Sequence, residues 1–194
     1  MSAEPLPEEP RWSVPEGGIT AADLDHIPGL PPHTELIDGG LFFMSPQKRF
    51  HDRTILRLQL GLMATLPPDL DVAREMSIIL SEQRRPEPDL SVLSIDAVGD
   101  GSETWYPADT VVLAVEVVSP DSQIRDRKLK PAMYAQAGIQ HFWRVEESEG
   151  KPVVYVYELD PATSSYALTG IHHDRLKLTV PYEIDVDLNG IVDL

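Results

Sequence analysis

The spacing of apolar residues divides the chain into strand-like and helix-like segments. Alternating apolar positions flank Asp38, Gly39 and Gly40, and an Asp-Gly-Gly sequence is typical of a β-hairpin turn. This pattern therefore predicts two short paired strands. The next segment has a helical period and predicts a helix that ends sharply at Pro67 and Pro68. The apolar positions of this helix are Ile55, Leu58, Leu62 and Leu66.

Short β-type segments and a second helix follow along the chain. Residues 71–95 hold three apolar runs with a charged, proline-bearing turn among them, and residues 99–109 are typical of a polar loop. The continuous β-branched run TVVLAVEVVS is typical of a strand that is covered on both faces. Residues 124–139 predict a helix closed by Gly138, and the rest predicts more strands. This order predicts an α/β or α+β domain around a mixed central sheet.

The acidic composition changes the picture of possible partners. The chain has 16 Lys and Arg against 32 Asp and Glu, a net charge of −16. A protein that coats nucleic acid without specificity needs a positive surplus, so this class is disfavoured unless basic patches or bound cations reverse the local field. Residues 1–18 are rich in proline and glutamate and predict an extended or disordered tail. We expect residues 19–194 to form a single domain.

Absences in the sequence narrow the chemistry further. The chain has no cysteine, which excludes disulfides, thiol nucleophiles and thiolate metal ligands. Its first residues lack the basic start and apolar core of a signal peptide, and no apolar run approaches the roughly 20 residues that span a bilayer. We therefore expect a cytoplasmic protein that does not enter membranes.

Two acidic residues are candidates for a shared site. Glu116 stands inside the apolar run VVLAVEVVS, where an ionised carboxylate needs a cation or strong hydrogen bonds. Asp89 follows Pro88 at the start of LSVL and would meet Glu116 if the two strands are neighbours. Paired carboxylates suit Mg²⁺ or Mn²⁺. The alternatives are a Glu116 that faces solvent or pairs with an arginine, and ordinary turn chemistry at Asp89.

Basic residues gather in three segments. One group directly follows the strand of Glu116, where an amine beside a metal-bound water can orient that water and balance charge. The alternative for this group is an ordinary solvated helix face. The other two groups form a stripe with a four-residue spacing on the first helix and a pair in the charged turn. These basic residues are Arg49, Arg53, Arg57, Arg84, Arg85, Arg125, Arg127, Lys128 and Lys130.

An ordered set of motifs resembles the Uma-type family of candidate endonucleases, formerly a domain of unknown function, in the PD-(D/E)XK nuclease superfamily. Each motif is weak alone, but the set is specific because order and separations match from Glu35 to the end of the chain. The motifs are TELIDGG, SPQKRFH, PDLSVL, LAVEVVSP, DRKLKPAMYAQAGI, HFWRVE and DLNGIVDL.

This resemblance implies a restriction-endonuclease-like fold, a mixed central sheet flanked by helices with an N-terminal β-hairpin. It also implies a metal-dependent site. Asp89 matches the Asp of the PD motif and Glu116 the acidic residue of the (D/E)XK motif, both metal ligands. The backbone carbonyl of Val117 would be a further ligand, Glu35 would help to complete the site, and His51 would lie close to the phosphate.

The chain departs from the superfamily pattern just after Glu116. Val118 stands where the motif has a lysine, and the matching amine is Lys130 in the string DRKLK, moved to the following helix. Pro131 disfavours helical conformation at the residue before it and is expected only in a first helical turn or at a kink. The direction of the Lys130 amine is therefore left open.

These residues and the resemblance to the Uma-type family together imply a metal-dependent phosphodiesterase that hydrolyses DNA. Asp89, Glu116, Glu35 and Lys130 would form its site, with Mg²⁺ or Mn²⁺ as cofactor, and the arginines of the first helix and of the charged turn would contact the DNA backbone. One alternative is a non-catalytic binding or regulatory module of the same fold, favoured by the acid surplus and the displaced lysine. Another is a glycosidase-like pair of carboxylates. A homodimer is expected if both DNA strands are cut, since two strands need two sites.

Overall fold

A six-stranded mixed sheet organises residues 17–189, the part of the chain that the computed structural model describes. The predicted acidic tail lies outside these residues except for Gly17 and Gly18. In chain order the elements are β1 (Thr34–Ile37), β2 (Gly40–Phe43), α1 (Arg49–Ala64), β3 (Leu70–Arg74), β4 (Ser77–Ile79), β5 (Leu90–Ser94), β6 (Trp105–Pro107), β7 (Val111–Val117), α2 (Lys130–Gln136), β8 (His141–Ser148), β9 (Lys151–Asp160), β10 (Ser165–His172), β11 (Arg175–Leu178) and β12 (Ile184–Asp187).

The strand order of the central sheet is β10-β9-β8-β7-β5-β3. Strand β7 pairs in parallel with β8 and antiparallel with β5, and the other neighbours in this sheet are antiparallel. Within residues 17–189, three two-stranded sheets accompany it: the hairpins β1–β2 and β11–β12 and the parallel pair β4–β6. The predicted mixed sheet with an N-terminal hairpin is confirmed.

Strand alternation divides the core between the two faces of this sheet. On one face, Val115 and Val117 of β7 pack in a cluster with α1 and β12. On the other face, Ala114 packs in a cluster with Tyr134 of α2. Glu116 has the same parity as Ala114, so its side chain points toward α2.

The observed elements differ from the predicted ones at two places. The second predicted helix has two parts, because a π-helical turn at Arg125–Leu129 runs directly into α2. The prediction of a polar loop for residues 99–109 was wrong at β6, a strand of three residues that pairs in parallel with β4. This pairing joins distant segments of the chain, so no local pattern reveals it. None of the helices within residues 17–189 is long and apolar enough to cross a membrane.

Candidate active site

Sheet pairing brings the predicted acidic residues to one end of the central strands. Because β5 runs antiparallel to β7, the start of β5 lies beside the end of β7, and Asp89 reaches the backbone just past Glu116. Glu35 extends from β1, and Lys130 is the first residue of α2. All four side chains belong to residues that are at most 5% exposed. The structure thus gathers the four predicted catalytic residues in one buried cluster.

The ammonium of Lys130 lies at the centre of this cluster. Its Nζ atom is 2.6 Å from Glu35 Oε1, 3.0 Å from Glu116 Oε2 and 3.7 Å from Asp126 Oδ1. An ammonium group has three hydrogen-bond donors, so three carboxylates can surround it. Tyr134 adds a hydroxyl that donates to Glu116 Oε1 at 2.6 Å. Both oxygens of Glu116 are therefore held in place.

A π-helical turn explains how Lys130 can be helical immediately before Pro131. The ring of a proline clashes with the carbonyl four residues earlier in a regular α-helix. Here the N–H of Lys130 bonds to the carbonyl of Arg125, five residues back, which widens the turn before Pro131. Pro131 then stands in the first turn of α2, where its missing N–H costs little. The amine points at Glu116, which answers the question that the sequence left open.

Asp89 is held against the end of β7. The N–H of Val117 donates to Asp89 Oδ2 at 2.5 Å, and Nε2 of His51 lies 3.3 Å from Asp89 Oδ1. Burial of the His51 ring opposes its charged form, but its bond to Asp89, the Asp89 charge and a bond to the Val117 carbonyl together raise the pKa of His51 above its ordinary value. His51 thus contacts two of the predicted metal ligands.

Burial and mutual repulsion shift the ionisation of the inner groups. Desolvation raises the pKa of Glu116 well above its ordinary value, partly offset by Lys130 and increased by the neighbouring carboxylates Asp126 and Asp89. Desolvation likewise raises the pKa of Asp126 to about 6. Burial alone would lower the pKa of Lys130, but Glu116, Glu35 and Asp126 raise it instead, so its ammonium stays charged.

An open cleft of about 390 Å³ gives access to this cluster from one side. Asp89 and His51 line the cleft, together with Glu75 and Glu87. The residues that line it include no Trp, Tyr or Phe. A sugar-binding aromatic platform is therefore absent from the described cleft, which weighs against the glycosidase alternative.

The cluster suits a divalent cation in its chemistry but is not arranged as a ready-made metal site. Asp89, Glu116 and Glu35 offer the carboxylate oxygens that Mg²⁺ and Mn²⁺ prefer, and the buried Glu35 Oε2 accepts no hydrogen bond from the described residues. Among residues 17–189, however, no group of three or more His, Asp or Glu side chains is placed to hold a metal ion. A cation held by three of these side chains at once would therefore require some of them to move, whereas Mg²⁺ held by one or two carboxylates and waters would not.

Comparison with known proteins places the chain in a family. A family profile named Uma2, with the description "Putative restriction endonuclease", matches residues 21–189. The chain belongs to the Uma2 family. A crystal structure described as "a putative nuclease belonging to DUF820" from Anabaena variabilis shares the fold, with a TM-score of 0.66, 16% sequence identity, and coverage of 90% of this chain and 98% of that chain. No curated protein matches the chain. The predicted family and fold are confirmed.

The buried cluster contains two residues that the sequence did not single out, Asp126 and Tyr134. Asp126 is 2% exposed and its Oδ2 accepts a hydrogen bond from the Ser122 hydroxyl, while Tyr134 is fully buried. With Lys130 they are spaced four residues apart in the sequence, which places them on one face of a helix. That spacing was a visible signal, but an Asp and a Lys at this distance also suit an exposed ion pair.

The predicted DNA-contacting residues of the Uma2 protein do not lie together. His51 lines the cleft, whereas Arg49 is exposed at the start of α1 and Arg53 is half-buried one turn later, outside the cleft lining. Residues that are two positions apart in an α-helix lie about 200° apart around the helix axis. Arg49 and Arg53 are each two positions from His51, so both face away from it. Contact of these two arginines with DNA stays a prediction, and such contact would lie outside the cleft.

Three further arginines have partners within the fold. Arg57 donates to the carbonyl of Asp187 at 2.8 Å, and Arg84 donates to Asp38 at 2.6 Å. The expectation that Arg85 contacts DNA was wrong, because this residue is 3% exposed and forms a two-pronged ion pair with Asp25. A desolvated guanidinium needs such a partner, which a sequence-local pattern does not reveal.

Proposed function

We propose that this Uma2 protein is a metal-dependent endonuclease that hydrolyses DNA at the cluster of Asp89, Glu116, Glu35 and Lys130. The observation that carries the proposal is the position of the Lys130 amine, within 3.0 Å of Glu35 and Glu116 although Lys130 lies 14 positions after Glu116 in the chain. The (D/E)XK motif combines a lysine with paired carboxylates at the end of a strand, and the Lys130 amine has this position. Strongly shifted pKa values at such a cluster add support for a functional site.

The proposed cofactor is Mg²⁺ or Mn²⁺. Asp89 and Glu116 would hold it, with Glu35 and the Val117 carbonyl as further ligands, and it would polarise the scissile phosphate and lower the pKa of a bound water. The surplus of buried carboxylates around one ammonium supports this proposal, because added positive charge relieves their repulsion.

The protein's own groups would supply binding and charge. Lys130 keeps its proton and would offset the negative charge that develops on a phosphate during attack. His51 lines the cleft, where its ring would contact a phosphate oxygen. Arg49 and Arg53 would contact the DNA backbone beyond the cleft.

A cleavage assay with a matched variant tests this function. Purified protein should nick supercoiled plasmid in Mg²⁺ or Mn²⁺ and should lose this activity in chelator. Glu116→Gln keeps the shape of the side chain but removes its charge, and we expect it to lower the rate by about 100-fold or more. Glu147→Gln, at an exposed position of β8, is the control and should keep the rate. Intact plasmid together with intact single-stranded DNA, with every metal tried, would refute the nuclease proposal.

A second candidate is a catalytically silent module of the same fold. The observation in its favour is the absence, among residues 17–189, of a pre-arranged group of metal-binding side chains. Calorimetric titration with Mn²⁺ separates the two candidates. The endonuclease requires metal uptake that Asp89→Asn abolishes, whereas the silent module requires none.

A further inference from the structure

We propose that the substrate of this site is an unpaired DNA strand, and that duplex DNA reaches the site only where its strands separate. The inference rests on the proposed nuclease function and adds the class of substrate. It follows from the depth of the site, from the size of its entrance, and from the charge and the apolar surface of that entrance.

The cluster lies too deep for a phosphate on the outside of a duplex. Glu35 is 0% exposed, Lys130 1%, Glu116 2% and Asp89 5%. Only Asp89 among these four lines the open cleft. A scissile phosphate must therefore enter the cleft to meet Asp89, since the other three residues have almost no surface to offer.

The entrance has room for a single strand. Its volume of about 390 Å³ is near the lower end of the range for pockets that enclose one small ligand, which is about the size of a nucleotide. His33 joins the loop before β1 to the loop before β5, because its Nδ1 lies 2.5 Å from Glu87 Oε1. Both of these residues line the cleft, so this pair limits its width.

The charge of the entrance also disfavours a duplex. Glu75, Glu87 and Asp89 line the cleft against two histidines. A duplex carries about one negative charge per 1.7 Å of axis and a single strand about half that density, so a duplex meets stronger repulsion here. The net charge of −16 acts in the same direction at longer range.

Part of the cleft lining is apolar. Pro31, Pro32, Met44 and Pro46 belong to this part, and Ser45 and Gln47 add polar groups beside them. An unpaired base exposes flat apolar faces that can pack on such a surface, whereas the bases of a duplex are stacked inside and present phosphates and groove edges instead. This part of the lining therefore suits a strand whose bases are accessible.

Cleavage of matched oligonucleotides tests the inference. The substrates are one labelled strand, the same strand in a duplex, and a duplex with an unpaired flap, each with Mg²⁺ or Mn²⁺. We expect the strand and the flap to be cut roughly tenfold faster than the duplex or more, with flap cuts in the unpaired part, because charge density and burial both oppose the duplex. A duplex that is cut as fast as the strand overturns the inference.

If no DNA is cut, a binding measurement still tests the preference for an unpaired strand. The nuclease proposal and the substrate proposal can therefore fail independently. Fluorescence anisotropy with the Glu116→Gln variant, and with the wild type in chelator, compares the labelled strand with the labelled duplex. Tighter binding of the strand supports the inference even if the nuclease proposal is lost. Equal or tighter binding of the duplex, or no binding of the strand, overturns it.

A variant of the cleft wall gives an independent readout. His33→Ala removes the ring that joins the two loops, and we expect the preference for the strand over the duplex to decrease. His173→Ala, an exposed histidine outside the cleft lining, is the matched control and should keep the wild-type preference. An unchanged preference in His33→Ala would overturn the role given to this wall.

Discussion

At the scale of the residue, the chemistry of the protein is concentrated in one ammonium among carboxylates. Lys130 lies within 4 Å of Glu35, Glu116 and Asp126, and all of them are almost inaccessible to solvent. Taking these charges out of water is costly, and the attraction among them offsets that cost only while the set is complete. The cluster therefore costs folding free energy, and such costly groups are common at functional sites.

Removal of the Lys130 charge should destabilise the protein strongly. Lys130→Met keeps the apolar stem but leaves buried Glu116 and Asp126 without their cation, while Arg125 remains 3.8 Å from Glu35. We therefore expect the free energy of unfolding at pH 7 to fall by about 3–5 kcal/mol. Urea denaturation followed by circular dichroism measures it. Lys128→Met, two residues earlier at an exposed position, is the control and should change it by less than about 0.5 kcal/mol. A variant at Lys130 as stable as the control would contradict the cluster.

At the scale of the element, close packing holds helix α1 against strand β12 of the hairpin β11–β12. Gly61 lies on the side of α1 that contacts β12, where a Cβ atom would come within 2.3 Å of Val186 Cγ2. Val186 is 2% exposed and belongs to the core of that face, so it has little room to move. A glycine at this position allows the helix to approach the strand closely.

Gly61→Ala should therefore lower stability although alanine favours helices. In a free helix this change gains about 1 kcal/mol, but here we expect a loss of about 1–3 kcal/mol from overpacking against Val186. In a Val186→Ala background, which provides space, the loss should disappear. Urea denaturation of the two single variants and the double variant gives the coupling energy. A stabilising Gly61→Ala in the wild-type background would show that the packing is looser than described.

At the scale of the whole molecule, the buried acidic groups make stability depend on pH. The folded-state pKa of Asp126 is raised from 3.8 to about 6, so the folded protein binds this proton more tightly than the unfolded chain does. Stability then falls as pH rises from about 4 to about 6, and the full cost remains above that range. The raised pKa values of Glu116 and His51 act in the same direction.

Asp126→Asn should flatten this pH dependence. The pKa shift of Asp126 from 3.8 to about 6 corresponds to about 3 kcal/mol. Between pH 4 and pH 7 the unfolding free energy should therefore fall by up to about 3 kcal/mol less in the variant than in the wild type. Urea denaturation at several pH values measures the slope. Asp109→Asn, at an exposed position, should keep the wild-type slope. Parallel pH profiles for Asp126→Asn and the wild type would contradict the raised pKa.

The sequence by itself determined the elements and the identity of the main site residues. The helical period of α1 and the unbroken β-branched run of β7 are local patterns, and a residue's neighbours in sequence suffice to reveal them. The local sequence also singled out Glu116, in its apolar run, and Asp89, at a strand start. Glu35 and the role of Lys130 came instead from the resemblance of the ordered motifs to the Uma-type family.

Only the tertiary structure decided what these residues touch. The parallel pair β4–β6 and the burial of Arg85 with Asp25 join segments far apart in the chain, and no local pattern records them. The π-helical turn before Pro131 aims Lys130 at Glu116 and turns Asp126 from an apparent surface residue into a buried one. The physical reason is that periodicity reports the preferences of one segment, whereas contacts, desolvation and shifted pKa values depend on which segments pack together.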